Sequence, residues 1–209
     1  MPNLRSTRPH VRRDAARSRQ AILDAAERLF AERGYEATTM SEIGSVAGLS
    51  AGTPAYFFRS KEELYRSVLG RAFDETSSLI RAWHLDEADL EEAVRDAVGS
   101  YLNFLAAHPN FVRLVIRDAI EGGRFLQGLP EHVASLGEAM PRLISEQQGG
   151  RLRDGVDPAH LLLSGISLCW FPIVAVALTR DLGFQADSPQ FVEARKQQVS
   201  ELLLRGAFR

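Results

Sequence analysis

The sequence contains very little cysteine: Cys169 is the only one in 209 residues. A single cysteine cannot form an internal disulfide, so the chain is not a small secreted scaffold held together by disulfide bonds. The N-terminal region carries arginines, but no apolar stretch of roughly 7–15 residues follows them, which is unlike a secretory signal peptide. These absences predict a cytoplasmic protein.

Patterns that support catalysis or metal binding are also missing. The five histidines show no pair at the i, i+4 spacing that places two metal ligands on one helix face. The sequence has no nucleophile elbow, no P-loop and no dinucleotide-binding fingerprint. We therefore expect no catalytic residues, no metal and no cofactor, and predict that the chain is not an enzyme.

The chain has little net charge, −2, but the charge is unevenly distributed. Its first nineteen residues contain six arginines and one acid, Asp14. A basic end on a more acidic body favours contact with a polyanion at that end only. We predict a flexible basic arm over residues 1–13, in which Arg12 and Arg13 contact a phosphate backbone. The alternative is a solvated tail that binds nothing.

One long apolar run is present. Residues 161–178 carry no formal charge, and their length is at the lower limit for a membrane span. Ser164, Gly165, Ser167 and Pro172 interrupt the run, and no second run accompanies it. We predict no membrane contact. A helix that is apolar on several sides is expected inside a core or in an interface between subunits.

Helical patterns occupy nearly the whole chain, and no alternating strand pattern is convincing. Capping-box sequences at Thr39–Glu42 and Ser60–Glu63 mark two helix starts. Later starts are marked by Asp89 and by prolines that suit a first helical position, at residues 109, 130, 158 and 189. The pattern predicts an all-α fold with about nine helices, three before residue 60 and six after it.

Two of the predicted helices are short and are separated by Gly48-Leu49-Ser50. This is a helix-turn-helix layout, in which the start of the second helix enters the major groove of DNA. Small or hydrogen-bonding side chains suit that position, and amides at helix starts donate to phosphates. The candidate DNA contacts from this segment and the adjacent helix starts are Thr39, Ser50, Ala51, Gly52, Thr53, Tyr56 and Lys61. For Tyr56 and Lys61 the alternative is an exposed side chain without a role.

The residues around this layout resemble the TetR family of transcriptional regulators. The resemblance covers about residues 17–66 and rests on Ile22-Leu23-Asp24-Ala25-Ala26, Leu29-Phe30, Gly34-Tyr35, Thr38-Thr39, Ile43, Ala47-Gly48-Leu49-Ser50, Gly52-Thr53 and Phe58-Arg59-Ser60-Lys61-Glu62-Glu63-Leu64. It implies an all-α homodimer with a DNA-binding domain over 14–60. It also implies a variable ligand-binding body over 61–209, with dimer contacts through the last helices. The expected function is a repressor that a small molecule releases from a palindromic operator.

The sequence departs from the family at Pro54-Ala55, where an aliphatic residue and a tyrosine are usual. If Ser50 is the N-cap of the second short helix, the ring of Pro54 crowds the first turn. If Thr53 is the N-cap, Pro54 occupies the first helical position, where proline is favourable. We include Pro54 among the candidate DNA contacts, because its ring is able to touch a thymine methyl group. Phe57 and Phe58 are expected in the core.

The predicted body is rich in large apolar residues, most of which belong to the core by default. Apolar pockets between helices are built from the same residue types. We name Phe104, Phe111 and Trp170 as candidates for lining a ligand cavity. Two alternative functions remain open at this point: a dimeric DNA-binding protein without a ligand, and a helical small-molecule carrier or enzyme.

Overall fold

The computed structural model describes residues 9–83, 89–127 and 130–209, and the side chains of 9–12, 130–136, 138 and 139 lie outside that description. The described residues contain ten helices: α1 (Pro9–Arg33), α2 (Met40–Val46), α3 (Thr53–Phe57), α4 (Lys61–Arg81), α5 (Leu90–Ala107), α6 (Pro109–Ile120), α7 (Pro130–Gln148), α8 (Pro158–Val174), α9 (Val176–Asp181) and α10 (Pro189–Ala207). These helices form two compact units that divide after Leu69.

The first unit contains α1, α2, α3 and the start of α4. An aromatic cluster lies at its centre, where the Phe30 ring packs on Tyr65 at 4.9 Å and on Tyr35 at 6.0 Å between ring centroids. Ile22, at helical spacing from Phe30, is also fully buried, as is Ile43 of α2. The apolar spacing along α1 therefore becomes one buried face, which anchors the two short helices of the unit.

The first unit differs from the sequence prediction at both of its ends. Helix α1 begins at Pro9, so residues 9–13 of the predicted arm are helical. Residues 1–8 and the side chain of Arg12 lie outside the described residues, and their contact with DNA stays a prediction. At the other end, Leu64, Tyr65 and Val68 of α4 are buried. The first compact unit of the structure ends at Leu69, whereas the DNA-binding domain predicted from the sequence ends at residue 60.

The second unit is built from the rest of α4 and from α5 to α10. The predicted helix starts are confirmed: Asp89 caps α5, and prolines begin α6, α7, α8 and α10. Within the described residues, the only β-type pairing is an isolated bridge between Leu152 and Phe208. The all-α fold predicted from the sequence is confirmed.

The number of helices differs from the expected nine because the predicted helix from Pro158 is divided at Ala175. Pro172 has no N–H to donate to the carbonyl of Leu168, so one bond of the helix ladder is missing there. The guanidinium of Arg195 in α10 takes its place and donates to that oxygen from Nη2 at 2.7 Å and from Nε at 3.2 Å. Helix α8 continues for two residues after this proline, to Val174, and α9 begins at Val176.

Two buried or half-buried charged groups hold loops of the second unit in place. The buried carboxylate of Asp118 accepts hydrogen bonds from the amides of Phe125 and Leu126, at 3.1 and 2.9 Å. The guanidinium of Arg142 in α7 donates to carbonyls at the end of α4, including those of Arg81 and Trp83. A cation is well placed at a helix C-terminus, where carbonyl groups lack helical partners.

The apolar run of residues 161–178 forms most of α8 and the start of α9. Among the described helices, none has both the length and the apolar character that crossing a membrane requires. Several side chains of this run are nevertheless exposed: Leu163, Phe171, Val174 and Leu178.

Candidate functional site

Helix α2 begins with the predicted capping box. The amide of Glu42 donates to the hydroxyl of Thr39 at 3.2 Å, and the Thr39 amide donates to the Glu42 carboxylate at 3.0 Å. The Thr39 hydroxyl also donates to that carboxylate, at 2.8 Å. Hydrogen bonds from Thr39 lower the pKa of Glu42, so the cap is ionised at neutral pH. Thr39 is exposed, but its hydroxyl hydrogen is already donated within the cap.

Helix α3 begins late, as the proline suggested. A turn closes between the Thr53 amide and the Ser50 carbonyl at 2.9 Å, and helical residues start at Thr53. Gly52 is the N-cap, in place of the Ser50 or Thr53 considered from the sequence. Pro54 therefore lies in the first turn of the helix, where a backbone N–H has no helical partner and its loss costs little.

The approach of α2 to this turn depends on Gly44, for which the sequence predicted no role. A Cβ on Gly44 would lie 2.7 Å from the Ser50 carbonyl oxygen, 3.1 Å from Cδ of Pro54 and 3.2 Å from Cα of Ala51. Only a residue without a side chain fits there. A glycine inside a helical pattern is the signal that could have revealed this close contact.

The turn and one side of α3 are open to solvent. Ser50, Ala51, Gly52 and Tyr56 are exposed, and Tyr56 is 85% exposed. Thr53 is half-buried, and its hydroxyl forms a hydrogen bond of 2.7 Å with that of Ser50. The structure thus places five of the predicted contact residues together on one short segment. Arg13 is exposed on α1 of the same unit.

Pro54 differs from its neighbours, since its ring is buried against α2. In this conformation the ring is not open to a thymine methyl group, so we expect Pro54 to position α3 instead of making the predicted contact. Phe58 is buried, as predicted, with 1% exposure, whereas Phe57 is half-buried and packs edge-on against Tyr56.

Lys61 does not present its charge to solvent, as either a phosphate contact or an exposed side chain would require. Its ammonium group donates to the carbonyls of Tyr35, Thr38 and Glu36 at 2.9, 3.1 and 3.4 Å. It also lies 4.3 Å from the centre of the Tyr35 ring. An ammonium group has three donors, so these carbonyls use all of them. Lys61 connects the loop after α1 to the start of α4, so we expect this structural role in place of the predicted phosphate contact.

Replacing Lys61 with methionine is expected to lower the free energy of unfolding by about 1–3 kcal/mol. The substitution removes the charged donor and leaves three carbonyls without a hydrogen-bond partner. The dependence of DNA affinity on salt concentration should stay unchanged. Replacing Arg13 with glutamine is the matched control, and it should reduce the salt slope by about one if Arg13 contacts a phosphate. A smaller slope for the Lys61 variant would contradict this assignment.

The second unit contains a partly open cavity of ≈ 390 Å³. Its lining comes from α4, α5, α6, α7, α8 and α10 and contains 21 described residues, almost all apolar or aromatic. Phe111 and Trp170 are among them, as expected, and Phe104 is not. The Phe104 ring instead packs on Phe111 and stacks on His108, with centroids 5.7 and 4.3 Å apart.

Polar groups in the lining are few. The indole N–H of Trp170 donates to the Tyr101 hydroxyl at 2.6 Å, and burial raises the pKa of that hydroxyl. Burial also raises the pKa of the Cys169 thiol to about 12, so it stays protonated and unreactive at neutral pH. In the described part of the chain, no cluster of three or more His, Cys, Asp or Glu side chains is arranged to hold a metal ion.

Two family models match the sequence. Residues 22–68 match the model described as bacterial regulatory proteins of the tetR family, and residues 91–203 match a tetracyclin repressor-like C-terminal domain. The first match spans the capped α2, the turn and α3. The second match spans most of the unit that contains the cavity.

Individual proteins are similar over most of their length. The transcriptional repressor NicS of Pseudomonas putida is 30% identical over 161 residues, which is 75% of this chain and 76% of NicS. The crystal structure of the transcriptional regulator SCO4942 from Streptomyces coelicolor superposes with a TM-score of 0.70 at 28% identity, over 91% and 98% of the two chains. FadR of Bacillus subtilis, solved with stearoyl-CoA, gives 0.69 at 20% identity, over 90% and 98%.

Proposed function

Because the chain belongs to the TetR family of bacterial transcriptional regulators, we propose that it is a homodimeric repressor that a small molecule releases from a palindromic operator. The turn and the exposed side of α3 read the DNA, and the cavity of the second unit takes the ligand. The observation that carries the proposal is the exposed segment from Ser50 to Tyr56, held in place by buried contacts on its other side.

The exposed segment has the chemistry that base recognition requires. Its small residues let the backbone approach the major groove closely, and Thr53 offers a hydroxyl and a methyl group to base edges. The Ser50 and Thr53 hydroxyls share one hydrogen bond, so one hydroxyl hydrogen is still available for DNA. Tyr56 is the most exposed large residue of the segment and is well placed to donate to a phosphate.

The cavity supports ligand control of DNA binding. Its volume lies within the range of small-molecule pockets, and its apolar lining is typical of them. FadR, which shares the fold, was solved with a bound ligand. A ligand weakens DNA binding only if it binds the DNA-free form of the repressor more tightly than the DNA-bound form.

An apolar surface on α8, α9 and α10 supports the dimer. Phe171, Val174, Leu178 and Leu202 are between 41% and 58% exposed there. Helix α8 contacts both α9 and α10, and exposed apolar side chains that lie together are typical of an interaction surface. Two copies joined by a twofold axis present two α3 segments, which suits a palindrome whose half-sites lie about 34–36 Å apart, or a multiple of that spacing.

The proposal is tested by selecting bound sequences from random double-stranded DNA. We expect the most strongly selected DNA sequence to be palindromic. Replacing Thr53 with alanine should cost about 1–3 kcal/mol of binding energy on that site and less on random DNA, because a base contact is lost. Fluorescence anisotropy with labelled DNA measures both affinities.

The outcomes of this experiment separate different roles for the segment. Equal losses on both kinds of DNA would make Thr53 a phosphate contact or a cap of α3. No loss on either kind, together with the absence of a selected sequence, would remove this segment from the interface and overturn the proposal. Replacing exposed Ser145 with alanine on α7, which lies outside the proposed DNA and dimer surfaces, is the matched control, and it should leave both affinities unchanged.

The second candidate function is a dimeric DNA-binding protein without a ligand. It predicts the same operator and no effect of any small molecule, and the cavity favours the ligand-responsive form over it. A carrier or an enzyme is not favoured, since the similar proteins reported above are transcriptional regulators. A regulator of bacterial transcription acts on the chromosome, so we place its action in the cytoplasm.

A further inference from the structure

We propose that the cavity takes an uncharged, mainly apolar ligand with one hydrogen-bond acceptor, such as a ketone oxygen, and that the Tyr101 hydroxyl binds this acceptor. The inference rests on the proposed function in one respect, namely that the cavity of the second unit is the ligand site. It goes further by stating the chemical class of the ligand and the residue that recognises it.

The described lining of the cavity is uncharged. No Asp, Glu, Lys, Arg or His is among the described residues that line the cavity. A carboxylate, phosphate or ammonium group placed there would lose its hydration without gaining an ionic partner, which is strongly unfavourable. The described lining therefore selects against charged ligands.

Most of the strong hydrogen-bond donors in the described lining already have acceptors within the protein. The Thr76 hydroxyl donates to the Ala72 carbonyl at 2.9 Å. The Trp83 indole N–H donates to Ser100 at 3.0 Å, and that of Trp170 donates to Tyr101 at 2.6 Å. The Cys169 thiol is only a weak donor. Each strong side-chain donor of the described lining except one is therefore already used.

The remaining donor is the Tyr101 hydroxyl. Its oxygen accepts from Trp170, and its own hydrogen has no acceptor among the described residues. A hydroxyl that accepts a hydrogen bond becomes a better donor, because the two bonds polarise each other. Burial raises the pKa of Tyr101, which keeps its proton in place at neutral pH. An acceptor oxygen on the ligand would satisfy this hydrogen inside an otherwise apolar site.

Three probes that share one ring system test the proposal: β-acetylnaphthalene, β-ethylnaphthalene and β-naphthoate. They provide a ketone, a hydrocarbon and a carboxylate of similar size. Equilibrium dialysis against the full chain measures their affinities. We expect the ketone to bind about three- to tenfold more tightly than the hydrocarbon, as one hydrogen bond allows. The carboxylate should bind at least about a hundredfold more weakly than the ketone.

Two variants separate the hydroxyl from the shape of the cavity. Replacing Tyr101 with phenylalanine should remove the preference for the ketone and leave hydrocarbon affinity within about twofold. Replacing Thr76 with valine deletes a hydroxyl that is already donated within its own helix, so the preference should persist. Hydrocarbon binding by each variant shows that its cavity is intact.

The results also distinguish this proposal from the proposed function. Equal binding of ketone and hydrocarbon by the wild type, tight binding of the carboxylate, or no binding of any probe would overturn the ligand class. A preference for the ketone that disappears in the Tyr101 variant supports it. If that ketone binds but leaves operator affinity unchanged, the result supports the proposed ligand class and contradicts the proposal that a ligand in the cavity regulates DNA binding.

Discussion

Replacing Gly44 with alanine is expected to lower operator affinity by about tenfold or more for each DNA-binding unit, because the added methyl group displaces the reading segment. Its Cβ would lie 2.7 Å from the Ser50 carbonyl oxygen and 3.2 Å from Cα of Ala51, and neither backbone atom is able to rotate away. The turn that carries the proposed base contacts must therefore move. Anisotropy measurements on the selected operator test this expectation.

A matched control separates displacement from the general effect of adding a methyl group to a helix. A Cβ on Gly137 in α7 would have nothing within 4 Å, so Gly137→Ala should be neutral or slightly stabilising and should leave DNA binding unchanged. Circular dichroism should show a folded Gly44 variant. A folded Gly44→Ala protein with wild-type operator affinity would contradict the argument that this contact fixes the reading segment.

A second variant identifies the partner of Gly44 in this contact. Its Cβ would also meet the Pro54 ring, at 3.1 Å from Cδ. Because the two side chains compete for one space, the double variant Gly44→Ala, Pro54→Ala should bind the operator better than the sum of the single losses predicts. Residues in contact commonly show such coupling, of about 0.5–3 kcal/mol. If the losses of binding energy of the two single variants are strictly additive, the clash with the backbone of Ser50 and Ala51 alone displaces the segment.

Much of the fold could be predicted because its signals are local. A hydroxyl followed three residues later by a glutamate marked the start of α2, and prolines marked four later starts, all of which the structure confirms. These signals act through bonds between near neighbours in the chain. The division of the predicted eighth helix was missed, although Pro172 inside the run is a local signal of a disturbed helix. The hydrogen bond from Arg195 to the Leu168 carbonyl comes from a different helix and carries no such signal.

The site was less predictable because its chemistry depends on contacts between distant residues. An exposed lysine and a lysine that binds three carbonyls look the same in a sequence, and Lys61 proved to be the second kind. Whether an aromatic residue lines a cavity or packs beside it depends on the exact position of its helix, which separates Trp170 from Phe104. No sequence pattern pointed to Tyr101, because its proposed role in ligand binding depends on the hydrogen bond that its hydroxyl accepts from the indole N–H of Trp170.

Introducing a charge on the apolar surface of α8, α9 and α10 is expected to abolish the proposed dimer. Phe171 and Leu202 are 54% and 58% exposed in the single chain, and neither lines the cavity. A glutamate at either position would be buried without a partner in the interface, at a cost of roughly 3–5 kcal/mol for each copy. A twofold interface contains both copies, so dimer dissociation should become at least about a thousandfold easier. Sedimentation velocity over a range of concentrations measures the change.

Loss of the dimer should also lower operator affinity. Two linked reading segments bind a palindrome far more tightly than either segment alone, because the second contact forms at a high effective concentration. Monomeric variants should therefore lose operator affinity while the ketone probe still enters the cavity. Ile120→Glu is the matched control, since Ile120 is also apolar and 80% exposed but lies at the end of α6. A Phe171→Glu, Leu202→Glu double variant that is folded and still sediments as a dimer would place the interface elsewhere.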